Sequence, residues 1–439
     1  MIRTWIPVTS ALVVLALTAL ALVDTPTPAR ADLLQAKDGL RWYRGNMHTH
    51  SLWSDGDDYL ESIAGWYEEH GYDFLVFTDH NVLANTDKWV LVEKTKGGRN
   101  AFDKLRRNFP DWVESRGEGD KQEVRLRRFE EVAARFNRAG EYLLIQGEEI
   151  SDRHHNHPIH MNASNVIELL QPRGGGSVRE VIQNNVDALQ AQRDRTGQPM
   201  IIHLNHPNFG YAVTAEDIAH IVGEKFFEVY NGHPGVHNHG DEFHAGTDRV
   251  WDIVLTLRLT QLDLPVMYGL AVDDGHSYHK IPSRASEPGR GWVWVLSDSL
   301  QPESLIAALE AGRFYASSGV KLKRVESSPQ GLSVAVDAVP GETYTIEFIG
   351  TREGYSRESS PVRGKNGKEL EVTRHYSDSI GEVLKTVTGT AASYTFQGDE
   401  IYVRARITSS ADHPNPSEIG DKQQAWVQPV VRLPQATTR

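Results

Sequence analysis

The sequence predicts an α/β fold followed by a small all-β, sandwich-like domain. Three observations carry this. From about Leu40 to Val320, short apolar runs alternate with amphipathic stretches. After about Lys321, apolar and polar residues alternate at period two, and Gly and Pro turns separate the runs. Histidines and carboxylates recur just past the ends of the strand-like runs in the first part. Alternation of strand and helix implies parallel strands with helical crossovers, as an α/β barrel or an open sheet.

In chain order, residues 1–31 read as a signal peptide. Arg3 supplies a positive start, and Ala11 to Val23 is a thirteen-residue run of Ala, Leu and Val with one Thr. Ala29-Arg30-Ala31 is a small-x-small cleavage site. Thirteen residues fall short of the roughly 20 that span a bilayer. The expected product is exported, periplasmic or secreted, with no membrane span after cleavage near Ala31. Cleavage removes two arginines and one aspartate, so the formal charge of −13 becomes −14.

Residues 40–320 then form the α/β part. Asp73 to Phe77, Tyr142 to Ile145, Met200 to Ile202, Phe226 to Tyr230, Val266 to Leu270 and Trp292 to Leu296 read as strands. Tyr59 to His70, Arg127 to Ala139, Val178 to Arg193 and Pro302 to Glu310 read as helices. The charged segment 84–140 is longer than one crossover needs and is expected to be an insertion or cap built mainly of helix. Trp292 and Trp294, two residues apart, read as one strand face. Residues 321–439 form the β-domain: Leu332 to Asp337, Tyr344 to Phe348, Ser393 to Phe396 and Ile401 to Arg406 alternate as half-buried strands do.

Composition narrows the chemistry. Among 439 residues there is no cysteine, which excludes disulfides, thiolate zinc sites, iron–sulfur clusters and cysteine nucleophiles. The negative charge argues against binding of nucleic-acid polymers. No Gly-x-Ser-x-Gly elbow, Walker loop or dinucleotide fingerprint is present. Of 19 histidines, 17 fall between His48 and His279, so any metal site lies there and uses imidazole and carboxylate.

Six clusters carry ligand-type residues. They are His48-Thr-His50 with Asp55, Asp79-His80-Asn81, Gly147-Glu148-Glu149, His157-Pro-Ile-His160, His203-Leu-Asn-His206 and Asp273-Asp274-Gly275-His276. In a strand His48 and His50 point to one side and can grip one ion. Ligand groups at successive strand ends are what a barrel needs to build one polynuclear site at its mouth. Such donors suit zinc, manganese or iron.

These ordered motifs resemble those of the PHP superfamily, named for its polymerase and histidinol phosphatase domain. Within it the opening Ser-Leu-Trp-Ser-Asp-Gly is most similar to the CehA/McbA carbamate-hydrolase group. The resemblance covers about 280 residues of the chain, and implies a distorted (β/α)7 barrel carrying two or three divalent ions (Mn, Fe or Zn). It further implies nine ligands: His48, His50, Asp55, His80, Glu149, His160, His206, Asp274 and His276. His160 is preferred over His157, Glu149 over Glu148 and Asp274 over Asp273, on the family's pattern.

The expected activity is hydrolysis of a small organic phosphate ester by metal-bridging hydroxide, with support from Asp79 and His233. Asp79 is read as fixing a ligand or its loop, or as a helix N-cap. Arg153 and Asn231 are candidate substrate contacts. One alternative keeps the site and attacks a carboxyl or carbamate ester. Another is a secreted, non-catalytic metal-binding or interaction protein.

Overall fold

Strand residues alternate between two apolar environments, and that alternation builds the main sheet. The computed structural model describes residues 39–432, so the signal peptide expected over 1–31 lies outside the described residues. β1 (Arg41–Asn46) is followed by α1 (Leu60–Glu69) and β2 (Phe74–Phe77). The next segment carries β3 (Lys88–Leu91), α2 (Gly98–Asn108), β4 (Ser115–Arg116), β5 (Glu123–Leu126) and α3 (Phe129–Phe136). After the hairpin of β6 (Leu143–His154) and β7 (His157–Ser164) come α4 (Val178–Thr196), β8 (Ile201–Leu204), α5 (Ala215–Ala219) and β9 (Phe226–Asn231). α6 (Thr247–Leu257), β10 (Tyr268–Val272), β11 (Trp292–Ser297), α7 (Pro302–Glu310) and β12 (Phe314–Ser317) complete this part.

The fold is mixed α/β around one large sheet, in which β10-β9-β8-β7-β6-β2-β1 lie side by side in that order. β2 shows how it is filled: Phe74 and Val76 enter one core with Leu143, Ile145, Leu270 and Val272. Leu75 and Phe77 face a second core under α1 and α3. β1, β2 and β6 are mutually parallel, as are β8, β9 and β10. β7 departs from the expected parallel order. A tight hairpin joins it to β6, so it runs antiparallel to both β6 and β8. At the C-terminal ends, Thr49 bridges Gly275, and His50 N–H donates to the Gly275 carbonyl at 3.0 Å. The two outer members of this run of strands therefore meet where the ligand-type clusters lie.

The helices cover the outer face. α4 opens on Ser177, whose hydroxyl accepts from Glu180 N–H, and stops at Gly197, which takes φ 71° without the strain a Cβ would add. Its buried stripe of Val181, Ile182, Val186 and Leu189 packs on the sheet, each side chain contributing about 1.5–3 kcal/mol of burial. The segment 84–140 holds less helix than expected. Its α2 and α3 flank an antiparallel sheet in the order β3-β5-β4, because Val124 and Leu126 alternate into the core with polar neighbours facing out.

Beyond β12 come β13 (Leu322–Ser328), β14 (Gly331–Val336), β15 (Tyr344–Arg352), β16 (Ser359–Ser360), β17 (His375–Tyr376), β18 (Glu382–Thr388), β19 (Ala391–Thr395), β20 (Glu400–Asp412) and β21 (Lys422–Val431). β13, β14 and β19 make a small antiparallel sheet facing β15, β20 and β21 across a core of Leu332, Val334, Ile346, Phe348, Val403 and Ile407. β21 also pairs with β12, so the main sheet continues into the C-terminal region. Among the described residues no helix is long and apolar enough to cross a membrane.

Candidate metal centre

The nine residues singled out as ligands converge on one end of the sheet, where most follow the C-terminal ends of parallel strands and His160 comes from the first half of the antiparallel β7. Chain extension continues past β1 through Thr49, so His48 and His50 share a side and their Nε2 atoms stand 3.0 Å apart. Glu149 lies in β6 at the centre of the group. Its carboxylate is 2.7 Å from His80 Nδ1, 3.0 Å from His160 Nδ1, 3.3 Å from His50 Nε2 and 3.5 Å from His206 Nε2. Asp274 Oδ1 is 3.3 Å from His48 Nε2, 3.2 Å from His50 Nε2 and 3.5 Å from His276 Nδ1. Asp55 reaches in from its loop, 3.3 Å from His276 Nε2 and 3.6 Å from His80 Nε2.

These donors form four overlapping sets: His50, Asp55, His80 and His276; His48, His50 and Glu149; His48, His206 and Asp274; His80, Glu149 and His160. Within each set the ligand atoms lie within 4.8 Å of one another. All are imidazole nitrogens or carboxylate oxygens, the set that suits a borderline divalent ion. The buried Nδ1 atom of His50 has no hydrogen-bond partner. An orphaned donor of this kind, aimed inward, fits a bound cation.

Electrostatics describe the same cluster. Burial opposes charge on Glu149, but His80, His160 and His48 outweigh it and hold the carboxyl well below its usual range. Asp274 is likewise held well below, by His48, His50 and His276 against burial. Burial disfavours the His48 cation, yet Asp274, Glu228 and Glu149 keep its pKa well above the ordinary value. His80, also opposed by burial, is raised to about 9 by Glu149 and Asp55. Burial and the neighbouring His276 push His50 down to about 3. Without metal, imidazolium protons balance the carboxylates, and a cation entering the site would displace them.

Local structure sets these positions. Gly147 precedes Glu149 where three strands crowd: a Cβ there would stand 2.7 Å from the Ala163 carbonyl oxygen and 2.9 Å from Val76 Cγ1. Asp274 takes φ 51°, a left-handed conformation that is strained for a residue with a Cβ and turns its carboxylate into the cluster. Asn81, at φ 48°, ties the two sides together, donating to the Ser151 carbonyl and accepting from Ser151 N–H.

The residues weighed against the nine face elsewhere. His157 lies near the hairpin tip, 3.9 Å from Glu371. Glu148 points to the other face of β6 and accepts from Leu170 N–H at 2.6 Å. Asp273 accepts from Tyr67 OH and from the N–H groups of Arg290 and Gly291. Asp79 caps no helix. It accepts from the N–H and hydroxyl groups of Ser51 and Ser54 and so fixes the loop that carries Asp55.

Asn231 needs correction as a substrate contact. It is fully buried, its amide donates to Glu228 (2.8 Å) and Asp274 (3.1 Å), and its oxygen accepts from His233 N–H. It holds the Asp274 carboxylate and has no surface to offer a substrate. His233 does stand at the mouth, its ring centroid 5.7 Å from that of His276. Arg153 is exposed and lines a cleft of about 730 Å³ that His160 also lines.

The reading from sequence missed Glu228. Its Oε1 bonds His48 Nδ1 (2.8 Å) and His203 Nε2 (3.2 Å), and its Oε2 accepts from His206 N–H (2.7 Å). Burial opposes its charge, but His48 and His203 hold its pKa down at about 2. A carboxylate behind a ligand histidine fixes ring tautomer and orientation. The signal was present: Glu228 is the one charged residue in the apolar run Phe226 to Tyr230, on the inward parity of Phe226. Asn205 was missed too; it donates to Glu149 Oε1 at 2.8 Å.

No family model matches the chain, and no curated protein matches it. Solved structures similar to it include the following two. One is a two-domain protein from Bacteroides vulgatus containing a predicted PHP-like metal-dependent phosphoesterase. It shares 14% identity over 89% of this chain and 96% of its own, with a TM-score of 0.38. The other is a candidate metal-dependent phosphoesterase from Bifidobacterium adolescentis, with 12% identity over 54% of this chain and 89% of its own and a TM-score of 0.28. Likeness at these scores is too loose to carry fold or activity across.

Proposed function

We propose that the protein is an exported, metal-dependent phosphoesterase of the PHP type. The seven strands from β10 to β1 are read as its distorted (β/α)7 barrel, and the opening motif as that of the carbamate-hydrolase branch. The observation that carries the reading is the convergence of nine histidine and carboxylate donors in four overlapping sets. His48, His50, Asp55, His80, Glu149, His160, His206, Asp274 and His276 would hold two or three ions of manganese, iron or zinc. Ions held there supply a nucleophile from water near neutral pH and neutralise the anionic oxygens of an ester.

The chain's own groups do the rest. Three carboxylates stand among the nine donors and Glu228 stands behind His48, so three divalent ions would leave the site net positive and favour an anionic ester. Glu228 orients His48, and Asn205 and Asn231 orient Glu149 and Asp274. Asp79 keeps the Asp55 loop in place. His233 Nδ1 accepts from Gly235 N–H, which leaves its Nε2–H to donate to an ester oxygen. The substrate is a small molecule, and no polymeric nucleic acid is expected.

Elemental analysis of protein purified without chelator should find manganese, iron or zinc. That protein should hydrolyse an aryl phosphate in preference to an aryl carboxylate ester or carbamate. His48→Ala combined with Asp274→Ala should bring turnover to background while the circular dichroism of the folded chain persists. Turnover of carbon esters alone would transfer the site to carboxyl or carbamate chemistry. Absence of both metal and turnover would leave a non-catalytic scaffold. Export is tested separately by sequencing the mature N-terminus, expected at Asp32.

A further inference from the structure

The hairpin of β6 and β7 runs on past the metal centre, and its register decides what it presents there. Glu149 pairs with Asn162, Ser151 with His160 and Arg153 with Pro158. Side chains at period two share a face, so Arg153 follows Glu149 and Ser151 on the side that carries His160. Ser151 Oγ already touches His80 Nδ1 at 2.5 Å. Four residues of strand carry Arg153 about 13 Å from Glu149 along the chain. Here opens a cleft of about 730 Å³, whose lining includes Ser151, Asp152, Arg153, Asn156, Pro158 and His160. His160 links the cleft to the cluster: it lines the cleft and is 18% exposed, against 0% for His48 and His50.

Arg153 is the one arginine on the wall of this cleft. Its guanidinium has no carboxylate or carbonyl partner among the described residues. The adjacent carboxylate cannot serve it. Asp152 also borders the cleft, but Gly174 N–H and the Asn185 amide donate to one of its oxygens at 2.9 Å each, and the other accepts from Arg153 N–H. An unpaired guanidinium on the wall of a cleft that ends at a cation site is suited to a second oxyanion.

We infer that the substrate carries a second anionic group, a phosphate or a carboxylate, roughly 10 Å from the ester that is cleaved, and that Arg153 receives it. This rests on the hydrolase reading above and names its substrate class: small bis-anionic esters.

The test compares hexanediol bisphosphate with hexyl phosphate as substrates, and hexane bisphosphonate with hexyl phosphonate in calorimetric binding to the protein as purified. Arg153→Ala should lower kcat/KM for the bisphosphate about tenfold or more, through KM. The change for the monophosphate should be much smaller, and binding of the bisphosphonate should weaken by a similar factor. Arg153→Lys should recover part of both. Equal losses on mono- and bis-anionic compounds, or no loss on either, would overturn the inference. Binding keeps the two readings separate. If the wild type hydrolysed neither phosphate, the phosphoesterase reading would fail, and a selective loss of bisphosphonate binding in Arg153→Ala would still support the anion subsite.

Discussion

Glu61 illustrates how one side chain can set a pH dependence. It lies in the first turn of α1, 3% exposed, with its Oε2 unpartnered. Arg127 is near but donates to Glu114, Glu131 and the Trp112 carbonyl instead. Burial, against the help of its own backbone N–H and Arg127, raises the Glu61 pKa from 4.5 to about 7. The folded state therefore binds the proton more tightly than the unfolded chain. Stability from this group is fully present below about pH 4.5 and is lost as pH rises through about 7. The loss amounts to about 3 kcal/mol. Glu61→Gln should match the wild type near pH 4 and exceed it by up to that amount at pH 8, measured by urea unfolding. At this scale much of the site was legible, because His48-x-His50 and Asp274-x-His276 are local spacings. Asn231 was misread because a sequence does not reveal that its amide is spent on Glu228 and Asp274.

Among the elements, β6 shows most clearly what a strand demands of its residues. The Gly-x-Glu spacing places Gly147 where β2 and β7 approach most closely, two residues before Glu149 on the same face. Gly147→Ala forces the Ala163 carbonyl and Val76 to shift, an overpacking worth about 1–3 kcal/mol. It should lower the urea midpoint and reduce metal content by displacing Glu149. Unchanged metal stoichiometry and stability would show that the strands yield freely. The hairpin itself was hidden. His154, His155, Asn156 and His157 contain neither Gly nor Pro, and the turn is made by His155 at φ 50°. Without that signal, β7 could not be told from the start of another crossover unit. The strands of the 84–140 segment were obscured in the same way, by a charged surface dense in Arg125, Arg127, Glu114 and Glu131.

For the molecule as a whole, the C-terminal strands are tied to the α/β part by a buried ion-pair network. Arg404 of β20 donates to both Asp252 oxygens at 2.8 and 2.6 Å and stands 2.9 Å from Asp248, while Tyr402 OH also reaches Asp252. The Gln428 amide completes the β10 edge, accepting from Gly269 N–H and donating to its carbonyl. Arg404→Met should cost about 3–5 kcal/mol, because the Asp252 charge is left buried without a partner. Adding Asp252→Leu should restore much of that loss. A double variant as unstable as the single one would mean that the guanidinium acts through its packing on Trp251.

By itself the sequence determined the alternation of strand and helix, the period-two strands after Lys321 and the identity and order of the metal-type donors. Each of these is a local property, written in apolar spacing and in side-chain chemistry within a few residues. Tertiary structure decided which donors stand together, that Glu228 and Asn205 stand behind them, and that Arg153 lines the cleft. It also decided that β21 would pair with β12 and carry the sheet onward. Those outcomes depend on strand register between segments more than two hundred residues apart, as where Arg41 pairs with Ser297, and on contacts such as that of His48 with Glu228, 180 residues away. Register is settled by how whole faces pack, and no short window of sequence contains it.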